Sequence, residues 1–184
     1  APTWNNMGEF EYTNMSDFKV DATAFSPETQ PTFVNYVEGI YVGYKFYETA
    51  ATEGLIDYDK TVQYPFGYGL SYSKFEQKIV NSSTEGDTVT LTVEVKNTGS
   101  VAGKDVVEVY YNPPYTNGGI EKSSANLVTY TKTGSIEPGA TQTVEVSFDK
   151  EDMASYDSKT AKAYVLEQGD YVVSINSDSH TVLD

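Results

Sequence analysis

Apolar and polar residues alternate cleanly from Thr88 to Asn97. Val89, Leu91, Val93 and Val95 share one face, and threonine or charged residues fill the other, the period of a half-buried strand. The pattern returns at Asp105–Tyr111 through Val107 and Val109, and at Thr141–Phe148 through Val144, Val146 and Phe148. It returns once more at Asp170–Asn176 through Tyr171, Val173 and Ile175. Lys74–Val80, Leu127–Thr133 and Ala161–Leu166 read as shorter strands. Turn residues punctuate the series at Asn81–Asp87, Asn97–Ser100, Glu137-Pro138-Gly139 and Gln168-Gly169. Pro113–Ser124 reads as a polar loop, and Lys150–Tyr156 as one helical turn.

The front of the chain differs. Residues 1–32 show no sustained period and read as an extended arm that needs a surface to lie on, anchored by Trp4, Phe10, Tyr12, Phe18 and Phe25. Val34, Tyr36, Ile40 and Val42 suit a buried strand, followed by a short helix from about Val42 to Ala51, although periodicity alone does not arbitrate so short a run. Asp57–Lys60 reads as a turn. At Val62–Tyr72 the chain changes character: Pro65 sets its own φ, Gly67 and Gly69 permit unusual ones, and four aromatic rings cluster there. This predicts a rigid hinge rather than a flexible linker.

Length and composition add bounds. The chain has 184 residues, 39% hydrophobic and 14% aromatic, with sixteen tyrosines. That suits one folded domain, or one domain plus a piece of another. A net charge of -15 repels phosphate backbones and anionic lipid, which argues against nucleic-acid and membrane-surface partners. The absence of cysteine excludes disulfides and thiolate metal sites, and assigns no compartment. It also favours a fibronectin-like over an antibody-like sandwich. The expected fold is therefore mainly β: a seven-stranded antiparallel fibronectin type III-like (immunoglobulin-like) β-sandwich. Its expected core is Phe75, Val89, Leu91, Val93, Val95, Val107, Val109, Val144, Val146, Phe148, Tyr171, Val173 and Ile175. A start at Ala1 suggests a processed chain or a fragment, and His180–Asp184 reads as a polar tail rather than a domain end.

Candidate chemistry is sparse. His180 is the single histidine, so a triad or a histidine-based metal site is not expected. Asp57 and Asp59 lack the glycine and closing glutamate of a calcium loop. Gly67-Tyr68-Gly69 lacks the third glycine and the lysine of a phosphate cradle. No cofactor and no metal are implied. Asn14-Met15-Ser16 and Asn81-Ser82-Ser83 match the glycosylation triplet and receive no role. Tyr110, Tyr111, Tyr115 and Tyr130 suit either a platform for a sugar ring or ordinary cross-strand packing.

Two stretches carry a resemblance. Tyr36–Tyr47 (YVEGIYVGYKFY) and Pro65–Tyr72 (PFGYGLSY) together resemble the C-terminal region of family 3 glycoside hydrolases, the β-glucosidase family. The similarity continues through Asn97–Val107 and, more weakly, Glu137–Gly139, Asp152–Asp157 and Gly169–Tyr171. Lys45 stands where the family commonly has arginine, which loses the planar fork for bidentate pairing. The resemblance implies that residues 1–63 end an α/β sandwich domain, 64–73 form a hinge, and 74–184 form the fibronectin type III-like domain. It implies a parent that hydrolyses β-linked sugars with retention, using an Asp on a (β/α)8 barrel and a Glu upstream. Neither carrier element is present, so no residue of this chain is expected to be catalytic. Ser16-Asp17-Phe18 looks like the nucleophile motif, but no apolar barrel strand precedes it. Glu38 either helps position the active-site wall of the complete enzyme, or simply pairs with Lys45 or caps a helix that starts nearby. Glu38, Tyr110, Tyr111 and Tyr115 are the substrate-proximal candidates. The implied partners are the remaining catalytic domains and a β-linked oligosaccharide. A freestanding carbohydrate-binding module and an adhesive or spacer sandwich are the alternatives.

Overall fold

The computed structural model describes residues 39–184. Its strands are β1 (Phe75–Glu85), β2 (Thr88–Asn97), β3 (Val106–Asn112), β4 (Asn126–Lys132), β5 (Thr141–Asp149), β6 (Ser155–Asp157), β7 (Ala163–Val165) and β8 (Val172–Asn176). One antiparallel sheet has the order β1-β2-β5, a second β4-β3-β8, and β6 with β7 forms a separate two-stranded ribbon. The inward faces of the two larger sheets make the core. Leu91, Val93, Val95, Val107, Val109, Val146, Phe148 and Ile175 are buried there, and Phe75, Val89, Val144, Tyr171 and Val173 pack against them. Alternation thus translates directly into burial. Tyr111 extends the Val107/Val109 face, while Ile136 and Met153 join the same cluster without an alternating neighbourhood to announce them.

Several boundaries differ from expectation. The polar run from Asn81 is not a turn: β1 continues to Glu85, with Ser82 opposite Leu91 and Thr84 opposite Val89. A register shift between Ile79 and Asn81 absorbs the change from apolar alternation to an all-polar edge. Only Gly86 and Asp87 turn the chain. Ile40 and Val42 are exposed, Ile40 in a turn and Val42 in an irregular stretch, so no buried strand passes through them. Val34 and Tyr36 lie outside the described residues. Asp57–Lys60 is a helix start: α2 (Tyr58–Thr61) is capped by Asp57, whose Oδ1 accepts from Lys60 N. The helical turn after β5 is a 3-10 turn, Lys150–Met153, and Tyr156 belongs to β6. Nor is the end a loose tail. Val182 bridges to Asn176, Leu183 N donates to Ile175 O at 2.9 Å, and Asp184 Oδ2 accepts from Ile79 N at 2.9 Å.

Ile40–Asp184 form one compact unit. It includes α1 (Tyr44–Thr52), which carries two threonines folded back onto its own carbonyls: Thr49 to Lys45 at 2.6 Å and Thr52 to Glu48 at 2.8 Å. α1 is tied to the start of β4 by two side chains. Tyr44 Oη accepts from Leu127 N at 3.0 Å, and Thr49 Oγ1 accepts from Ser124 N at 3.0 Å.

Candidate functional site

The polar centre of this unit is Glu48, on α1 and only 5% exposed. A buried carboxylate is tolerated where donors surround it. Here Oε1 accepts from Tyr58 Oη at 2.6 Å and from Ser179 Oγ at 2.8 Å, and Oε2 meets His180 Nδ1 at 2.8 Å. The His180 ring stacks on Tyr58 with centroids 3.6 Å apart and planes 4° apart. Burial, then the bond to Glu48, pushes the Tyr58 phenol well above its ordinary range. Serine and histidine both contact the carboxylate rather than each other, so the group is a clamp between α1, α2 and the final turn, not a nucleophilic triad. Asp178 holds that turn by accepting from His180 N and Thr181 N at 2.9 and 2.7 Å. The patterning argument missed this centre. Tyr58, Ser179 and His180 sit 10, 131 and 132 positions from Glu48, and a lone histidine carries no local signal.

The hinge segment is seated beside it. Phe66 stacks on Tyr44 with centroids 4.7 Å apart, and Phe66 O accepts from Ser179 N at 2.7 Å. Gly67 has φ 91°, and a Cβ there would lie 2.6 Å from Glu108 Oε2. The positive φ favours glycine, and any Cβ would displace the Glu108 carboxylate. Burial raises the Glu108 carboxyl above its ordinary range, although Tyr110 Oη, donating at 2.9 Å, lowers it in part. At the far end of the segment, Ser73 Oγ donates to Asn97 Oδ1 at 2.6 Å. Between these two attachments Tyr68 is about half exposed, and Leu70 and Tyr72 are 91% and 98% exposed. The segment therefore presents several large apolar groups to solvent.

The sequence-derived candidates separate. Tyr110 and Tyr111 are interior residues, 1% and 7% exposed. Burial pushes the Tyr111 phenol up to about 12. The four-tyrosine platform therefore does not form: Tyr111 joins the core between the sheets, and Tyr110 is covered on the other face, edge-on to the Tyr44 ring. Tyr115 and Tyr130 are exposed. Tyr115 lies on the β3–β4 loop, where a cleft of about 570 Å³ also involves Tyr41, Glu53 and Asn117. Lys122 of that loop is buried, with its Nζ 2.5 Å from Glu167 and 2.6 Å from Pro114 O. Glu38 and Asp17 lie outside the described residues. Burial lowers the Lys45 ammonium from its ordinary value. Among the described residues no group of acidic and histidine side chains is arranged to hold a metal ion, and no helix is long and apolar enough to cross a membrane.

Two layered antiparallel sheets with this strand order define a fibronectin type III-like domain, and residues 105–179 match that family. The surrounding chain is homologous to a segment of glycoside hydrolase family 3 β-glucosidases. It is 39% identical over 147 residues to a β-glucosidase of Ruminococcus albus, covering 78% of this chain and 14% of the relative. It superposes on β-glucosidase 3B of Thermotoga neapolitana, solved with glucose, with a TM-score of 0.70 and 34% identity over 88% of this chain and 21% of that one. The GH3 β-glucosidase of Bifidobacterium adolescentis gives a TM-score of 0.70 at 29% identity, over 85% of this chain and 22% of that one. The chain spans 14% and 18% of the first two curated relatives it matches. In these enzymes the segment is a small part of a larger molecule, which fits an accessory domain.

Proposed function

We propose that this chain is the non-catalytic portion of a family 3 β-glucosidase, bracing the enzyme's catalytic domains and lending a loop to the substrate entrance. One observation carries the reading. Residues 64–73 are held at Phe66 and at Ser73, yet expose Leu70 and Tyr72 almost completely. A fixed apolar row is a surface shaped for a partner. The small share of each relative that the chain spans makes the remaining domains of the same enzyme that partner. In this reading residues 1–63 complete an α/β sandwich domain, 64–73 are the hinge, and 74–184 are the accessory domain. Glu38 and Tyr115 then stand near a β-linked oligosaccharide. The freestanding binding-module alternative loses its aromatic platform with the burial of Tyr110 and Tyr111.

The test is hydrolysis of an aryl β-glucoside. The purified chain alone turns over none, and the complete enzyme does. In that enzyme Tyr115→Ala raises KM several-fold with kcat nearly unchanged. Turnover by the 184-residue chain alone overturns the non-catalytic assignment.

A further inference from the structure

We propose that the exposed face of the β6–β7 ribbon docks a basic segment of another protein, one that carries at least two arginine or lysine side chains. Tyr156 and Tyr164 stand opposite each other across the ribbon, with ring centroids 5.4 Å apart. Period two puts Ala154 and Leu166 on the same face, one step beyond each ring. Tyr156, Tyr164 and Leu166 are 48%, 75% and 43% exposed, whereas Ser155 and Val165, on the reverse face, are half-buried. The ribbon therefore turns its larger apolar side chains outward. Apolar groups gathered this way on one small face mark a contact surface.

Acids rim this face and choose the partner. A cleft of about 830 Å³ is floored by Ala154, Tyr164 and Leu166 and walled by Asp87, Asp149, Glu151 and Asp152. It has room for several side chains, so a segment fills it better than a single ionic group. Lys150 also lines it, but its Nζ donates to Gly86 O at 2.8 Å and lies 4.0 Å from Asp87 Oδ1. The acids do not converge: among the described residues no three are placed to hold a metal ion. Negative charge spread along a wall suits cations spaced along a chain. A guanidinium or ammonium over the Tyr164 ring adds a cation–π contact, and its methylene stem lies along Leu166. A second copy of this chain, at net charge -15, brings like charge to the wall and is disfavoured.

The face is clear of the surface assigned above to the rest of the enzyme. Asp149 pairs with Thr88, where β2 begins, and Asp87 immediately precedes it. The hinge segment is fastened where β2 ends, at Asn97. At the rise of a strand those ends are about 30 Å apart.

Titration of the 184-residue chain with the peptide Arg-Leu-Arg-Leu-Arg, followed by amide NMR, tests it. Saturable shifts are expected at Asp87, Glu151, Ala154, Tyr164 and Leu166. Glu151→Lys and Tyr164→Ser, both at exposed positions, each weaken binding about tenfold. Glu76→Lys makes the same charge change on the exposed outside of β1, at the far end of that strand, and leaves binding as in the parent. Salt at about 1 M, which screens charges beyond about 3 Å, removes most of the affinity. The proposal is overturned if no saturable shift appears, or if shifts spread evenly over the acidic surface. It is equally overturned if Glu76→Lys weakens binding as much as Glu151→Lys, which leaves net charge alone as the cause. Self-association of the chain through these residues, with no peptide added, overturns it in favour of a second copy.

Discussion

Asn97 shows how much one side chain can organise. It is fully buried, donates to Val101 O and Ile136 O at 2.8 Å each, and accepts from Ser73 Oγ and Gly99 N at 2.6 and 2.9 Å. Gly99 is matched to it, because a Cβ there would sit 2.6 Å from Lys74 N. Replacing Asn97 by Ala strands several buried partners, and denaturant unfolding should lose about 2–4 kcal/mol. Glu108 gives the opposite case. An acid whose folded pKa is raised binds its proton better folded than unfolded. Its favourable contribution is complete below the unfolded carboxyl range and disappears as pH rises through the higher folded value. Glu108→Gln keeps an acceptor for Tyr110 and removes the charge. Its melting temperature should exceed the parent's at neutral pH and converge with it in acid, and a lower value at neutral pH contradicts the assignment. Neither residue's role was legible beforehand. Asn97 looked like a turn residue, and Glu108 like the polar half of an alternation, because side-chain partners across 24 and 39 positions leave no trace in local periodicity.

At the scale of elements, legibility followed periodicity. β2, β3, β5 and β8 were readable because one face of each is buried, and burial imposes period two. The outer half of β1 was not, since a polar edge strand carries no such mark and its serines and threonines mimic a turn. The ribbon of β6 and β7 was half seen. Its Tyr156 and Tyr164 sit opposite each other with ring centroids 5.4 Å apart, and both are exposed, so core patterning does not apply. α1 was readable in extent but not in attachment. Its hold on the sandwich runs through Glu48, so Glu48→Ala should loosen this element selectively. Hydrogen exchange at Tyr47–Thr52 should accelerate by the equivalent of about 2–4 kcal/mol, while the β2 and β3 amides stay protected. Uniform acceleration across both sheets contradicts a local clamp.

For the whole molecule, the exposed row at Leu70 and Tyr72 makes stability depend on context. In the chain alone, Leu70→Ser with Tyr72→Ser changes the melting temperature little, since surface substitutions usually lie within about 0.5 kcal/mol. In the complete enzyme proposed above, the same pair should lower the melting temperature and reduce the cooperativity of unfolding. An unchanged transition there removes the bracing role. The clamp at Glu48 also has a temporal side. Two of its three donors, Ser179 and His180, lie 131 and 132 positions later. Contacts of such separation form late. On a ribosome, which releases the N-terminal part first, α1 therefore waits unclamped while both sheets emerge behind it. The turn that locks this helix down leaves the tunnel only after both sheets have done so.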